Sequence, residues 1–371
     1  MRIGIDIRSL IEPFPSGISE YTFQVIRRLL RYDRENKYIL FYNSRHHRLS
    51  EKYRQEFSKF DAEIVATHWP NKIFNFILFL GVYIKLDKMI GGVDLFFMPN
   101  INFVSLSSST KLVITVHDLS FEYPKYFSTK SKYWHKFIRP SKLIKKADGI
   151  IAVSKNTKQD IVENYKIDQN KISVIYSGVE LKKYSDIQPN RINNIKNKYR
   201  IIGEYFLYLG NLENRKNIIT IIEAWQKYKQ KNNSYIQLVL AGRKTKSISD
   251  LKADGLIVTG YVEEDEKPAL YSGAKAFIYP SFYEGFGLPV IEAMAAGCPV
   301  VTSFSTALPE IAEKAAILID PYNINECAKA LELVSQEKIR NDLLNKARSQ
   351  VKKYDWEQTS LNTIKLFQAI K

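Results

Sequence analysis

Short apolar runs alternate with amphipathic stretches along almost the whole chain. In the first half, runs typical of buried strands lie at Arg2 to Ile7, Tyr38 to Tyr42, Ala62 to Ala66, Asp94 to Asn100, Lys111 to Val116, Ala147 to Ser154 and Lys171 to Ile175. In the second half they lie at Tyr205 to Gly210, Gln237 to Ala241, Ile257 to Val262, Ala276 to Pro280 and Ile317 to Asp320. Helical stretches such as Glu20 to Tyr32 and Lys155 to Tyr165 separate these runs, so the pattern predicts an α/β fold with parallel, doubly wound sheets.

The length of 371 residues suits two domains rather than one core. A polar stretch from Glu180 to Tyr199 marks the division. We therefore predict an N-terminal domain over residues 1–180, a linker over 181–200, a C-terminal domain over 201–350, and a closing helix over 351–371.

The segment from Tyr279 to Glu310 carries the densest candidate chemistry. A strand ends at Pro280, the loop Tyr283 to Gly287 has glycine on both sides of Phe286, and a helix follows with Pro289 in its first turn. Backbone N–H groups near Phe286, Gly287 and Leu288 predict a site for an anion such as a diphosphate. Carboxylates do not bind phosphate, so we expect Glu284 to accept hydrogen bonds from a sugar and Glu292 from a ribose.

Two further loops offer groups of complementary chemistry. Arg215 and Lys216 precede a helix that begins at about Ile218, and two cations at a helix start suit a diphosphate. His117 and Asp118 directly follow a buried strand, where Asp118 could orient the imidazole or bind sugar hydroxyls. The loop from Arg8 to Ser19 lacks the pattern G-x-G-x-x-G, so it gives no support to a dinucleotide cofactor.

Composition and charge limit the classes of partner that the chain could bind. The formal net charge is +16, and the stretch from Lys125 to Lys146 has eight Lys or Arg and no Asp or Glu. It is either a solvated helix face or a surface that docks on an anionic partner such as lipid, whereas no motif supports nucleic acid. Cys298 and Cys327 indicate neither a disulfide framework nor zinc, and a reducing cytoplasm fits.

Membrane-directed sequence signals are weak. The start of the chain runs directly into a strand, so we expect no signal peptide. The apolar segment from Ile73 to Ile84 is shorter than the roughly 20 residues that span a bilayer. We predict a buried or amphipathic helix there, with a shallow membrane contact as the alternative.

The surroundings of the two glutamates resemble a known signature. Glu284, seven intervening residues and Glu292, set in EGFGLPVIEAMAAGCPVV, closely resemble the signature of retaining, nucleotide-sugar-dependent glycosyltransferases of family 4. This resemblance implies the GT-B fold, in which two Rossmann-like domains face a cleft and the closing helix crosses back to the first domain. It also implies that Arg215 and Lys216 stabilise the departing nucleoside diphosphate in place of a metal.

Other segments resemble the same family. VHDLSFEYPKYFS, from Val116 to Ser128, is similar to an HDL-containing, mannosyltransferase-rich branch, which implies that His117 contacts the transferring sugar. GISEYT, from Gly17 to Thr22, resembles a glycine loop near donor phosphates and acceptor, although a simple tight turn is the alternative. The resemblance places Arg243, Tyr261 and Val262 near the nucleobase. Two positions depart from the pattern: Asn211 replaces a frequent arginine, and Ser177 replaces a usual asparagine.

The resemblance implies a hexosyltransferase without a metal or other cofactor. The donor it favours is GDP-mannose, and the acceptor a lipid-linked or surface-polysaccharide intermediate at the inner face of the cell membrane. A UDP-sugar or another GDP-sugar as donor, a sugar-nucleotide epimerase and a phosphorylase are alternatives on the same fold. A catalytically inactive subunit and a binder of anionic surfaces are alternatives of another class.

Overall fold

Two parallel β-sheets organise the chain. The structure is a computed structural model that describes residues 1–12, 14–123, 137–244 and 251–370. One unit comprises Met1–Gly178 with Trp356–Lys371, and the other comprises Val179–Asp355. The alternating pattern of the sequence therefore corresponds to two doubly wound units, each built on its own sheet.

The first unit holds a seven-stranded sheet in the order β3-β2-β1-β4-β5-β6-β7. Its strands are β1 Arg2–Asp6, β2 Lys37–Asn43, β3 Ala62–Thr67, β4 Leu95–Met98, β5 Lys111–Val116, β6 Gly149–Ala152 and β7 Ile172–Val174. Its described helices in this part of the chain are α1 Gly17–Tyr32, α2 Glu51–Phe57, α3 Asn71–Leu80, α4 Leu86–Met89, α5 Pro140–Lys146 and α6 Lys155–Tyr165. Neighbouring strands are parallel, and the strand order reverses between β1 and β4.

The second unit holds a six-stranded sheet in the order β10-β9-β8-β11-β12-β13. Its strands are β8 Tyr205–Leu209, β9 Gln237–Ala241, β10 Leu256–Gly260, β11 Ala276–Tyr279, β12 Val300–Ser303 and β13 Ala316–Ile319. Its described helices are α7 Leu181–Tyr184, α8 Pro189–Lys198, α9 Ile218–Asn232, α10 Lys267–Ser272, α11 Leu288–Ala295, α12 Leu308–Ala312, α13 Ile324–Ser335 and α14 Glu337–Gln350. Here the strand order reverses between β8 and β11, and ligands of open α/β sheets bind at such reversals, beyond the carboxyl ends of the strands.

The last helix, α15 Trp356–Ile370, returns to the first unit. Ser360 Oγ donates to the carbonyl of Val25 in α1 at 3.4 Å, and the ring of buried Phe367 meets Phe97 of β4 at 5.2 Å. Gly149 permits this packing, because a Cβ there would lie 2.3 Å from Cδ1 of Ile370. The end of the chain thus completes the core that its beginning starts.

Two segments differ in detail from the sequence-based expectation. The predicted loop from Arg8 to Ser19 is wrong at its end, because α1 begins at Gly17, where Ser16 and Ser19 form a reciprocal capping box. Residues 181–200, predicted as a linker, contain α7 and α8, which belong to the second unit. Of the basic stretch from Lys125 to Lys146, residues 125–136 lie outside the described part of the chain.

The apolar segment from Ile73 to Ile84 forms most of α3 and the turn that follows it. Phe74 and Leu78 are buried in the core, whereas Ile73 and Phe76 are exposed, so the helix carries apolar side chains on both its buried and its exposed side. Within the described residues, no helix combines the length and the apolar character needed to cross a membrane.

Candidate active site

Cations and a carboxylate meet where the second sheet reverses its strand order. The turn Asn214–Lys216 follows β8, and the loop containing Glu284 follows the neighbouring strand β11. Asn217, with φ of 60°, donates from its side chain to the carbonyls of Pro280 at 3.2 Å and Pro321 at 2.6 Å. These bonds fix the turn against the loop, so the position of Lys216 relative to Glu284 is set by the backbone.

Lys216 is a buried cation with two partners. Its ammonium donates to Oε1 of Glu284 in a close ion pair and to the hydroxyl of Tyr279 at 2.7 Å. The side chains of Lys216 and Glu284 are each only 8% exposed. A lysine and a glutamate are seldom buried unless they are paired, so this contact holds both side chains in one geometry.

Arg215 approaches the same carboxylate from the other side. Its Nη1 donates to the carbonyl of Tyr283 at 3.0 Å and lies 3.4 Å from Oε2 of Glu284, while Nη2 lies 3.7 Å from Glu213. The carbonyl of Arg215 also accepts from the N–H of Phe282 at 2.9 Å. Glu284 therefore has a cation beside each of its oxygens.

Burial and pairing act in opposite directions on Glu284. Burial alone would raise the pKa of the Glu284 carboxyl, but the charges of Lys216 and Arg215 outweigh it and leave this pKa below its usual value. The carboxylate is therefore ionised at neutral pH. Lys216 and Arg215 thus lie in surroundings of low dielectric constant, where their charges act strongly on a neighbouring anion.

The loop that carries Glu284 leads directly into α11. Glu284 N–H donates to Oγ1 of Thr306 at 3.0 Å, which anchors the loop. Gly287 has φ of 99°, and a Cβ there would lie 2.7 Å from Cδ2 of Leu308. Phe286 is buried with its ring edge-on to Tyr354 at 5.6 Å. This packing fixes Phe286, Gly287 and Leu288 at the start of α11, which is the positive end of the helix dipole.

Glu292 lies one turn into α11 and is buried. Its Oε2 accepts from the hydroxyl of Tyr271 at 3.0 Å. Burial raises the pKa of Glu292 above its usual value, a change that the charge of Lys267 opposes and that of Glu264 reinforces. Lys183 also belongs to this group, since its ammonium lies 3.1 Å from Glu264. Lys183 comes from α7, so the predicted linker contributes to the surroundings of Glu292.

Three glycines bring the loops after β8, β9 and β10 together. Gly242 donates its N–H to the carbonyl of Gly260 at 2.8 Å, and a Cβ on Gly242 would lie 1.9 Å from the carbonyl oxygen of Gly210. Arg243 follows this contact and is exposed, and its charge acts on the hydroxyl of Tyr261, whose pKa burial raises. Val262 is buried next to Tyr261.

In the first unit, His117 lies at the carboxyl end of β5. Its Nε2 is 2.8 Å from the carbonyl oxygen of Pro99, which follows β4. Because a carbonyl only accepts, Nε2 carries the proton and Nδ1 is left as an acceptor. Burial lowers the pKa of His117, more than the Pro99 bond and the charge of Asp118 raise it, so the imidazole is neutral at neutral pH.

Asp118 and the segment that begins at Gly17 relate to His117 in different ways. Asp118 accepts at Oδ1 from the N–H of Ser120 at 3.0 Å and from its hydroxyl at 2.6 Å. In the described residues these bonds stabilise the next turn, and orientation of His117 by Asp118 is not observed. Gly17 is the exposed first residue of α1, while Tyr21 of the same segment meets the His117 ring edge-on at 4.7 Å. The segment and the histidine are thus brought together through Tyr21.

Sequence reasoning missed three side chains at these sites: Tyr21, Tyr279 and Thr306. The Tyr279 hydroxyl accepts from the Lys216 ammonium and Thr306 Oγ1 accepts from the Glu284 N–H, whereas Tyr21 contacts His117 through its ring. A signal was present for the tyrosines, because a buried hydroxyl requires a hydrogen-bond partner. Tyr279 ends an apolar strand immediately before the loop of Glu284. That loop was therefore the nearest source of a hydrogen-bond partner for the Tyr279 hydroxyl.

Comparison with known proteins gives consistent matches over both units. Residues 15–183 match the family described as Glycosyltransferase Family 4, and residues 191–353 match Glycosyl transferases group 1. The O-antigen chain mannosyltransferase B of Escherichia coli is 30% identical over 274 residues, which cover 70% of this chain and 71% of that protein. The serotype-specific mannosyltransferase WbdA of the same species is 30% identical over 227 residues, but these cover only 28% of its length.

The fold has solved counterparts. HepE of Anabaena, crystallised with UDP and glucose, superposes with a TM-score of 0.74 over 100% of both chains, at 15% identity. Such low identity establishes the fold alone, and that fold is GT-B. This fold and the sequence matches together show that the chain belongs to glycosyltransferase family 4 and is a nucleotide-sugar-dependent glycosyltransferase.

Proposed function

We propose that the chain transfers a hexose from a nucleoside diphosphate sugar to a glycan hydroxyl with retention of anomeric configuration. The observation that carries the proposal is the buried cluster of Arg215, Lys216 and Glu284 at the strand reversal of the second sheet. Mannose from GDP-mannose is the donor we favour, because the O-antigen chain mannosyltransferase B and WbdA are mannosyltransferases. The sequence resemblance to the HDL-containing branch supports the same choice.

The proposed chemistry depends on charge stabilisation. When the bond between the sugar and the diphosphate breaks, negative charge develops on the diphosphate oxygens. Arg215 and Lys216 supply positive charge, and the N–H groups at Gly287 and Leu288 supply hydrogen bonds. Because these groups are already fixed by Asn217, Tyr279 and Tyr283, little reorganisation is needed. No metal is required in this proposal.

Other residues would hold the donor and the sugar. The Nδ1 atom of His117 is suited to accept a hydrogen bond from a sugar hydroxyl, since its Nε2 proton is directed at Pro99. Glu284 would take a sugar hydroxyl, which requires it to share its oxygens with Lys216 and Arg215. Glu292 would accept from the ribose, and Arg243, Tyr261 and Val262 would border the base. Asp118 as a group for sugar hydroxyls and Gly17 as a neighbour of the donor phosphates stay predictions.

A UDP-sugar is the second candidate donor. The observation in its favour is HepE, which was crystallised with UDP and glucose and shares the fold.

For the acceptor we propose a lipid-linked or surface-polysaccharide intermediate, on the grounds that one relative is an O-antigen chain mannosyltransferase. A cytoplasmic site of action is part of this proposal, and the two buried, free cysteines suit a reducing compartment. Peripheral contact through residues 125–146 stays a prediction.

The donor is best identified by ligand-induced thermal stabilisation. GDP, UDP, ADP and their common sugars would be compared with and without magnesium and after addition of a chelator. A ligand at about 100 times its Kd stabilises the folded state by roughly 2.7 kcal/mol. We expect GDP and GDP-mannose to raise Tm and the chelator to leave the effect unchanged. Stabilisation by UDP alone would instead select the second candidate.

Variants link any stabilisation to the cluster. Replacing both Arg215 and Lys216 by Ala should abolish the GDP effect, but it leaves Glu284 buried without its cations. Lys216→Met combined with Glu284→Gln removes both charges of the pair at once and keeps the size of the side chains. The control is Lys231→Ala, which breaks an exposed pair with Glu332 at 2.9 Å. Undiminished GDP stabilisation in a folded cluster variant would refute the proposed site.

A further inference from the structure

A group of large apolar side chains is exposed on the first unit around α3. Three of them recur at spacings of three and four residues on one side of the helix, two follow it, and one precedes α5. Their exposed fractions are Ile73 51%, Phe76 60%, Leu80 44%, Val82 72%, Tyr83 80% and Phe137 56%. We call this group the α3 face. Monomeric proteins rarely leave such a contiguous group in water without a use for it.

The α3 face is firmly attached to the fold. Phe74 and Leu78 on the opposite side of α3 are 0% and 2% exposed and belong to the core of the unit. Phe137 packs edge-on against Phe79 at 6.2 Å, and the guanidinium of Arg139 lies 5.0 Å from the Phe79 ring centroid. The exposed side chains therefore extend from a fixed platform.

The two stretches of sequence that carry the α3 face contain charge of a single sign. No Asp or Glu occurs in residues 64–86 or in residues 123–147. Exposed cations lie in both stretches: Lys72, Arg139, Lys142, Lys145 and Lys146. Exposed apolar side chains on stretches that carry cations and no carboxylates are complementary to a partner that is apolar inside and anionic at its boundary.

We propose that the α3 face docks the enzyme on an anionic lipid bilayer. The apolar side chains would enter the boundary between headgroups and acyl chains, while Lys72 and Arg139 contact the anionic headgroups. Trp69, 42% exposed, and Tyr83 flank the helix at its two ends, which is where amphipathic rings favour the membrane interface. A second copy of the chain is a poorer occupant, because each copy has a net charge of +16. The proposal does not depend on the identity of the sugar donor.

Vesicle flotation of the full chain tests the proposal. Vesicles of phosphatidylcholine with about one quarter phosphatidylglycerol would be compared with phosphatidylcholine alone, near physiological ionic strength. The test variant is Ile73→Ser with Tyr83→Ser. Its matched control is Ile202→Ser with Tyr235→Ser, because these side chains of the second unit are 81% and 92% exposed. We expect the test variant to lower the partition coefficient on anionic vesicles by about tenfold or more, and the control to leave it unchanged.

Charge is tested separately with Lys72→Glu, for which Lys338→Glu is the control at an exposed position of α14. Lys72→Glu should weaken binding to anionic vesicles by roughly fivefold or more.

Melting curves establish that each variant is folded, and turnover of a water-soluble acceptor should be equal in all of them. The proposal is overturned if the wild type ignores both kinds of vesicle, or if test and control variants lose binding equally. Dimerisation of the wild type that the Ile73/Tyr83 variant abolishes, without vesicle binding, would also overturn it.

Discussion

At the scale of single residues, the site is a set of charges held in place by each other. Lys216 can be buried because Glu284 and the Tyr279 hydroxyl accept hydrogen bonds from its ammonium, and Glu284 is ionised because Lys216 and Arg215 lie beside it. Each side chain would be costly to bury alone. The free energy of the folded state therefore depends on the group more than on any single contact.

This interdependence predicts non-additive stability. Glu284→Gln leaves two cations without their carboxylate, and Lys216→Met leaves the carboxylate with Arg215 only, so each should cost about 3 to 5 kcal/mol of unfolding free energy. The double change should cost less than the sum of the two, since it removes both charges. Chemical denaturation of the four proteins measures the coupling, and strictly additive costs would contradict it.

The same pair predicts a pH dependence. Glu284 has a lowered pKa in the folded state, so its contribution is present above the unfolded value of about 4.3 and is lost as pH falls through the lower folded value. The stability difference between wild type and Glu284→Gln should stay constant from about pH 8 to pH 5.5 and narrow below about pH 4. A difference that already shrinks near pH 6 would show that another group is responsible.

At the scale of elements, glycine contacts position the loops of the second sheet. Gly242 lies so close to the carbonyl of Gly210 that the loops after β8 and β9 touch. Gly203 also has a positive φ, of 79°, but a Cβ there would meet nothing within 4 Å. Alanine at either position would carry the cost of backbone strain, but only at Gly242 would it also carry the cost of a steric clash. Comparing the two positions therefore separates these costs.

Gly242→Ala should be far more damaging than Gly203→Ala. The control should cost about 1 kcal/mol, the usual strain of a non-glycine residue in this conformation. Gly242→Ala adds a clash that requires the backbone to move, so we expect at least about twice that cost together with weaker nucleotide binding. Tm and nucleotide affinity of both variants provide the comparison, and equal losses would show that strain alone decides.

Elements were also what the sequence predicted best. The bounds of β5, β9 and α6 coincide with the predicted ones, because long buried runs and a serine cap mark them. The start of α1 was missed, since its cap is a serine pair ahead of the apolar face. The buried hydroxyl of Tyr279 called for a partner, but the sequence could not identify that partner as Lys216, which lies 63 residues away, nor could it pair Thr306 with Glu284 across 22 residues.

At the scale of the whole molecule, two units with separate cores imply separable responses. Phe367 of α15 is fully buried against Phe97. Phe367→Ala should cost about 3 to 5 kcal/mol, as large cavities in a core do. Because both residues belong to the first unit, amide exchange should accelerate in α1 and β4 and stay unchanged in β8 to β13. Uniform acceleration in both sheets would contradict the division into units.

The return of α15 also bears on how the chain is made. The first unit needs residues from both ends of the sequence, whereas the second unit is continuous from Val179 to Asp355. A ribosome that delivers the chain from its amino end thus supplies everything the second unit needs before it supplies the helix that closes the first. The order of maturation during synthesis is therefore expected to run opposite to the order of the sequence, and the unfinished first unit is the part that would need protection by chaperones.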